Sequence, residues 1–424
     1  MNLTEFEGMR DILKMIIFDD QAFDSALKTY QSSLSFSDET KKIVASTVGA
    51  ALRHYYVFEH IKKEHQLELN ENETCAFYLL LANHLFVKKV NSDSLFPLAK
   101  SSFADKDVLV RIKDLIDGLE IDSLIDKNIN SFTPEYLSLR YNTPSWLIKM
   151  WAKHFSKGIA LKILKANNKL PLKVYRVNSD YAKIEEVLND YENYAPSPIQ
   201  DVVIKTHNSR IKDDDALANY DLFKTSMGLK YVLDQFNDDI YENVAVYQGE
   251  ALESLPLEVL MKITRFNSLD IIVENQRDYN RLLRQLRKYS TKNTYLYLNN
   301  GLPSFASYLG KKVDYFFLMP KSSNFNAIRK YPDFFIHFKQ SDLDLYIQKE
   351  RMLIEESLKY VNDGGRLVYI VSTISNKEGR RLIEDVISQN DNLSLEEERQ
   401  LFPFENLDTS LYYAVIKKEE SKDD

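Results

Sequence analysis

From about residue 226 onward, short apolar stretches of strand length alternate with longer segments of helical period. That alternation constrains the fold more than any other feature of the chain. The strand candidates are residues 244–247, 270–274, 295–298, 315–318, 367–370 and 411–415, and a helical pattern runs over 343–360. Strands separated by helices pair in parallel through crossovers, so the pattern predicts a Rossmann-like, mostly parallel sheet covered on both faces.

Residues 1 to about 130 read as helices alone. Val44, Val48 and Leu52 recur at helical spacing behind Ser37, Asp38 and Glu39, a capped start. The run from Cys75 to Ala82 is apolar on all sides and predicts a central buried helix. From about 131 the character changes. Thr133-Pro134-Glu135 and Thr143-Pro144-Ser145 each predict a threonine cap with proline at the first helical position. Strand-like pieces at 172–177 and 201–204 flank a helical stretch at 184–188, which implies a small α/β module. Irregular connections are expected around Pro196 and Pro198 and at Lys212–Asp215. The expected fold is therefore multidomain: an all-α domain over 1–130, a small α/β module over 131–225, and an α/β Rossmann-like domain over 226–424. The charged tail from Glu419 to Asp424 is expected to fray.

Composition fits this division. A chain of 424 residues with 44% hydrophobic and 28% charged residues is globular and too long for one core. No apolar run approaches membrane-spanning length and the N-terminus is acidic, so the expectation is a cytoplasmic protein with no membrane partner. Cys75 is the single cysteine, which excludes an internal disulfide and any paired-cysteine metal site; opening an apolar run, it reads as core. The seven histidines form no close ligand pair, so no metal is expected, and His54, His60 and His65 lie in a charged stretch that predicts solvent-facing positions. The glycine motifs of dinucleotide and triphosphate sites and of the serine-hydrolase elbow are absent.

The stretch Tyr141-Asn142-Thr143-Pro144-Ser145-Trp146-Leu147-Ile148-Lys149-Met150-Trp151, with Asn167, Asn168, Pro171 and Arg176-Val177-Asn178, resembles the Sun (RsmB) family of ribosomal RNA cytosine-C5 methyltransferases. The likeness continues at Asp314, Pro320, Pro332-Asp333, Gln348, Gly364-Gly365, Leu401-Phe402-Pro403 and Asp408, while Val48 to Arg53 resembles a NusB-domain helix. It implies a NusB-like N-terminal domain and a methyltransferase domain using S-adenosylmethionine (SAM). At the chemistry the chain departs from the family. Where the family has an Ala-Pro-Gly-Gly-Lys cofactor turn, this sequence reads Tyr247-Gln248-Gly249-Glu250-Ala251-Leu252-Glu253. Glu274 holds the place of an acid that accepts from ribose hydroxyls, although a solvated acid at a strand end is the plainer reading. Asn299 is uncharged where the family has a further acid. Ser372 stands at the attacking cysteine, Lys321 at the second cysteine, and Leu318 at the aspartate before the proline.

A thiol of pKa about 8.5 needs little activation, whereas a serine hydroxyl needs an adjacent base. The combined losses predict a dead site with no catalytic residue and no cofactor. SAM enters only in the alternative of an active methyltransferase with an atypical site.

A basic segment remains. Arg140, Lys149, Lys153, Lys157, Lys162, Lys165, Lys169, Lys173 and Arg176 fall between Arg140 and Asn178 with no acid among them, in a chain of net charge −8. Lys149, Lys153 and Lys157 recur every four residues, which predicts one helix face carrying all three. A lysine face is often merely solvated, but complete exclusion of acids favours phosphate contacts. The expected partner is RNA, ribosomal by the resemblance, in a role such as ribosome assembly. The other reading is a scaffold whose NusB-like helices bind a protein partner.

Overall fold

The computed structural model describes the chain apart from residues 34–36, 126–128, 207–214, 237–240, 250–253, 264, 289–292, 302–303, 406 and 421–424. The expected turn at Glu250–Glu253, most of the connection at Lys212–Asp215 and the end of the tail therefore lie outside the described residues. Two compact units emerge: Met1–Asn168 with Ala327–Lys339, and Lys169–Asn326 with Gln340–Asp424. The stretch 131–225, expected as one module, is divided after Asn168.

The first unit is helical. Its centre is the helix Glu71–Ala82, whose residues from Glu73 onward are all buried, because a helix apolar on every side is stable only when surrounded. Asn70 and Glu73 close its start with a capping box, and Ser37 caps Asp38–Arg53 by accepting from the Thr40 N–H. Burial pushes the Cys75 thiol up to about 12, so it packs as a small apolar group without thiolate chemistry. Residues 327–339 pack within this unit. The Tyr56 phenol donates to the Phe335 carbonyl at 3.0 Å and the Phe23 N–H to Asp333 Oδ2 at 3.0 Å.

Helices Pro134–Tyr141, Ser145–Phe155 and Lys157–Asn167 complete the unit. Thr133 caps the first as expected. Thr143 does not cap the second. Its hydroxyl donates to the Tyr141 carbonyl at 3.0 Å, and Pro144, extended at ψ 135°, holds the cap position.

The second unit carries two sheets. Strands β1 (Val174–Val177), β2 (Tyr194–Pro196), β3 (Val202–Lys205) and β4 (Leu222–Lys224) form an antiparallel sheet in the order β2-β3-β1-β4. Pro196, expected in a loop, ends the edge strand β2, where a missing N–H is tolerated. The larger sheet contains β5 (Tyr241–Gln248), β6 (Phe266–Val273), β7 (Thr294–Leu298), β8 (Val313–Met319), β9 (Val361–Val371), β10 (Leu393–Leu401) and β11 (Leu411–Lys418) in the order β10-β11-β9-β8-β5-β6-β7. Its pairs are parallel from β7 to β9, and antiparallel for β11 on β9 and β10 on β11. The architecture is thus multidomain and mixed α/β, with a mostly parallel Rossmann-like sheet. Among the described residues no helix is long and apolar enough to cross a membrane.

Candidate functional site

The strand order reverses between β5 and β8: the chain extends the sheet through β6 and β7 on one side, then through β8 and β9 on the other. In open α/β sheets, ligands lie beyond the carboxyl ends of the strands at such a reversal. Gly249 follows β5 there, and its N–H donates to the Met319 carbonyl at 2.8 Å. A Cβ at position 249 would stand 2.9 Å from the Lys321 backbone nitrogen and 3.1 Å from Glu274 Oε2. Only glycine allows this approach.

Glu274 follows β6 and Lys321 follows β8, and they meet as an ion pair at 3.1 Å. Glu274 is thus not a lone solvated acid: its Oε2 is paired with Lys321. Its Oε1 also lies 3.4 Å from where a Cβ at Gly301 would be. Burial, with Glu274's charge second, raises the Tyr247 phenol above its ordinary range. Asn299, past β7, is fully buried.

Ser372 follows β9 and is 2% exposed. Its hydroxyl lies 3.4 Å from Asn324 Oδ1, an amide oxygen that accepts a hydrogen bond but takes up no proton. The Ser322 hydroxyl donates to the Ser372 carbonyl at 2.9 Å, tying the two turns together. Beneath them lies Glu378, a fully buried carboxylate that sequence reading passed over. It accepts from the Ser323 N–H and hydroxyl, both at 2.6 Å, and from the Thr373 hydroxyl at 2.5 Å. Its oxygens serve these donors and not the Ser372 hydroxyl. The described residues of this unit include no histidine. Among the described residues, the Ser372 hydroxyl therefore meets an amide oxygen and no general base.

The nine cations are divided between the two units. Arg140, Lys149, Lys153, Lys157, Lys162 and Lys165 belong to the first unit, and Lys169, Lys173 and Arg176 to the second. Eight are exposed. Arg176 is buried, which corrects its expected role on RNA. The guanidinium sits 3.1 Å from Asp201 and 3.8 Å from Glu258 and donates to the Gln200 carbonyl, so it is a structural cation. Lys149 pairs with Glu135 at 2.9 Å. The expected face of Lys149, Lys153 and Lys157 is also broken. The helix ends at Phe155, Ser156 turns the chain at φ 104°, and Lys157 opens the next helix.

His54 departs from its expected solvent-facing place. It stacks on Phe86 with ring centroids 3.6 Å apart, and burial, with Arg53 second, pushes its pKa down to about 4. Among the described residues, no group of three or more His, Cys, Asp or Glu side chains is arranged to hold a metal.

No family model and no curated protein matches the sequence. Solved structures do. PH0851 matches at 16% identity with a TM-score of 0.73, over 97% of this chain and 99% of its own. NSun6 from Pyrococcus horikoshii with SFG matches at 11% identity and TM-score 0.56, over 66% of this chain and 100% of its own. A methyltransferase homolog protein from the same organism matches at 15% identity and TM-score 0.56, over 68% and 99%. The chain shares the fold of PH0851 across nearly its full length and, over about two thirds of its length, a methyltransferase-like fold with the other two.

Proposed function

We propose that this protein is an RNA-binding, non-methylating relative of the SAM-dependent RNA cytosine-C5 methyltransferases, with ribosomal RNA as the partner that the motif resemblance implies. One observation carries the reading. At the position where the motif resemblance puts the attacking thiol stands a buried serine whose hydroxyl faces an amide oxygen, and none of the described residues around it takes up its proton.

The cofactor side supports it. SAM would need an open glycine turn and an acid available to its ribose. Among the described residues, Gly249 is packed against the Lys321 backbone, Glu274 is engaged by Lys321, and the next acidic position is the buried Asn299. These residues do not fit the cofactor. The RNA side rests on the eight exposed cations of an acid-free segment.

Two measurements on the full chain test this. Calorimetric titration with millimolar SAM gives no heat, and filter binding of ribosomal RNA fragments gives retention that falls as salt rises. Transfer of a labelled methyl group to cytosine in RNA would establish the active-enzyme reading instead. Absence of RNA retention even at low salt would leave the scaffold reading, with a protein partner.

A further inference from the structure

The first unit contains a cavity of about 600 Å³ that neither the motifs nor the fold assigns. That volume falls in the range of small-molecule sites, roughly 300–1,000 Å³. One wall is the His54–Phe86 stack, whose rings are nearly parallel at 3°. With its pKa pushed down to about 4, His54 is neutral at physiological pH, so this aromatic wall carries no charge. Phe132 stands at the rim, 75% exposed. Its turn is fixed: the Phe132 N–H donates to Asn130 Oδ1 at 3.0 Å, and Thr133 immediately caps the next helix. Arg140 and Lys165 also line the cavity, brought from different helices, and both are exposed. Asp122 is the acid among the described lining residues.

Flat aromatic surfaces beside paired cations are what an unpaired nucleotide needs: a face for the base and charge for its phosphate. An apolar peptide side chain would use the aromatic surfaces but leave both cations without a counterpart. We infer that this cavity takes one unpaired nucleotide of a single-stranded RNA, with its base against Phe132 and the His54–Phe86 wall and its phosphate at Arg140 and Lys165. The inference rests on the RNA-binding reading above and adds to it a strand preference and a stacking residue.

The test is fluorescence anisotropy of a labelled short oligouridine and a labelled RNA duplex, each titrated with the full chain across a salt series. Phe132→Ala weakens oligouridine binding by about tenfold, as loss of one stacked base does, and leaves the salt slope unchanged because no charge is removed. Phe132→Trp keeps the affinity of the native chain. Lys165→Gln weakens binding and makes the slope shallower by about 0.7. Duplex binding is insensitive to residue 132. The inference is overturned if Phe132→Ala binds oligouridine like the native chain, or if it weakens oligouridine and duplex alike. In either case salt-dependent binding by the native chain still upholds RNA binding, whereas a native chain that binds neither probe removes both.

Discussion

Glu350 and Glu378 show how much one ionisable group can cost an interior. Both are fully buried in the sheet-bearing unit. Glu378 is satisfied by Ser323 and Thr373, whereas the polar neighbours of the Glu350 carboxyl are Glu378 itself and the Tyr369 phenol. Burial raises both carboxyls above the ordinary range, and Glu378 pushes Glu350 further in the same direction. Two neighbouring buried carboxyls do not both ionise readily. In the unfolded chain Glu350 loses its proton near the usual carboxylate value, but in the folded chain it holds the proton to higher pH. Its contribution to stability is therefore complete below the ordinary range and is lost as pH rises through the raised value. Glu350→Gln keeps the shape, removes the ionisation, and supplies an amide that can donate. Thermal unfolding then shifts up by about 1 kcal/mol near pH 8, or roughly 3 °C, with little change near pH 4. Equal shifts at both pH values would show that Glu350 does not titrate in this way.

At the scale of elements, burial decides what a sequence displays. The helix Glu71–Ala82 and strands β5, β8 and β9 are legible because a surrounding core demands an uninterrupted apolar run. Strand β10 escapes the same reading. It lies at the sheet edge with exposed Glu396 and Glu397, and is held by Arg366 on Glu396 and by the Tyr412 phenol on Glu398. Motif comparison singled out Ser372, Lys321 and Glu274, which follow β9, β8 and β6. It missed the Glu378 cluster, since Ser323 and Glu378 are 55 residues apart and meet only through the fold. The lysine stripe misled because a period of four across Ser156 looks continuous, although Ser156-Lys157-Gly158 is equally a cap and a new start. At φ 104° and ψ 159° Ser156 occupies backbone space that L-residues reach at a cost of about 1–3 kcal/mol. Its hydroxyl offsets part of that by accepting from the Ile159 N–H at 3.3 Å. Glycine removes the strain and loses only a few tenths of a kcal/mol as a cap. Ser156→Gly is expected to stabilise the helical unit by about 1 kcal/mol. Ser156→Ala, which keeps the Cβ and loses the cap, lowers the unfolding midpoint. Chemical denaturation of both variants reads the two signs, and a destabilised glycine variant would place the main energy in the cap.

For the molecule as a whole, charge segregation governs where a polyanion can settle. A segment of formal charge +9 in a chain of −8 leaves −17 for the rest, so most of the surface repels nucleic acid. Binding confined to the cationic segment has a bounded salt dependence. Contact with about five phosphates of a single strand gives a slope near −3.5 for log K against log salt. Contact across the whole surface would have no such limit set by one segment. Location within the chain, and not the number of lysines, then determines the effect of neutralising a pair. Lys153→Gln with Lys157→Gln makes the slope shallower by about 1.4. Lys100→Gln with Lys106→Gln, equally exposed but in the acidic remainder, leaves it within error. Filter binding of a single-stranded RNA over a salt series separates these outcomes. If both pairs moved the slope equally, the cations of residues 140–165 would be acting only through net charge, and no local phosphate site would be needed to account for binding.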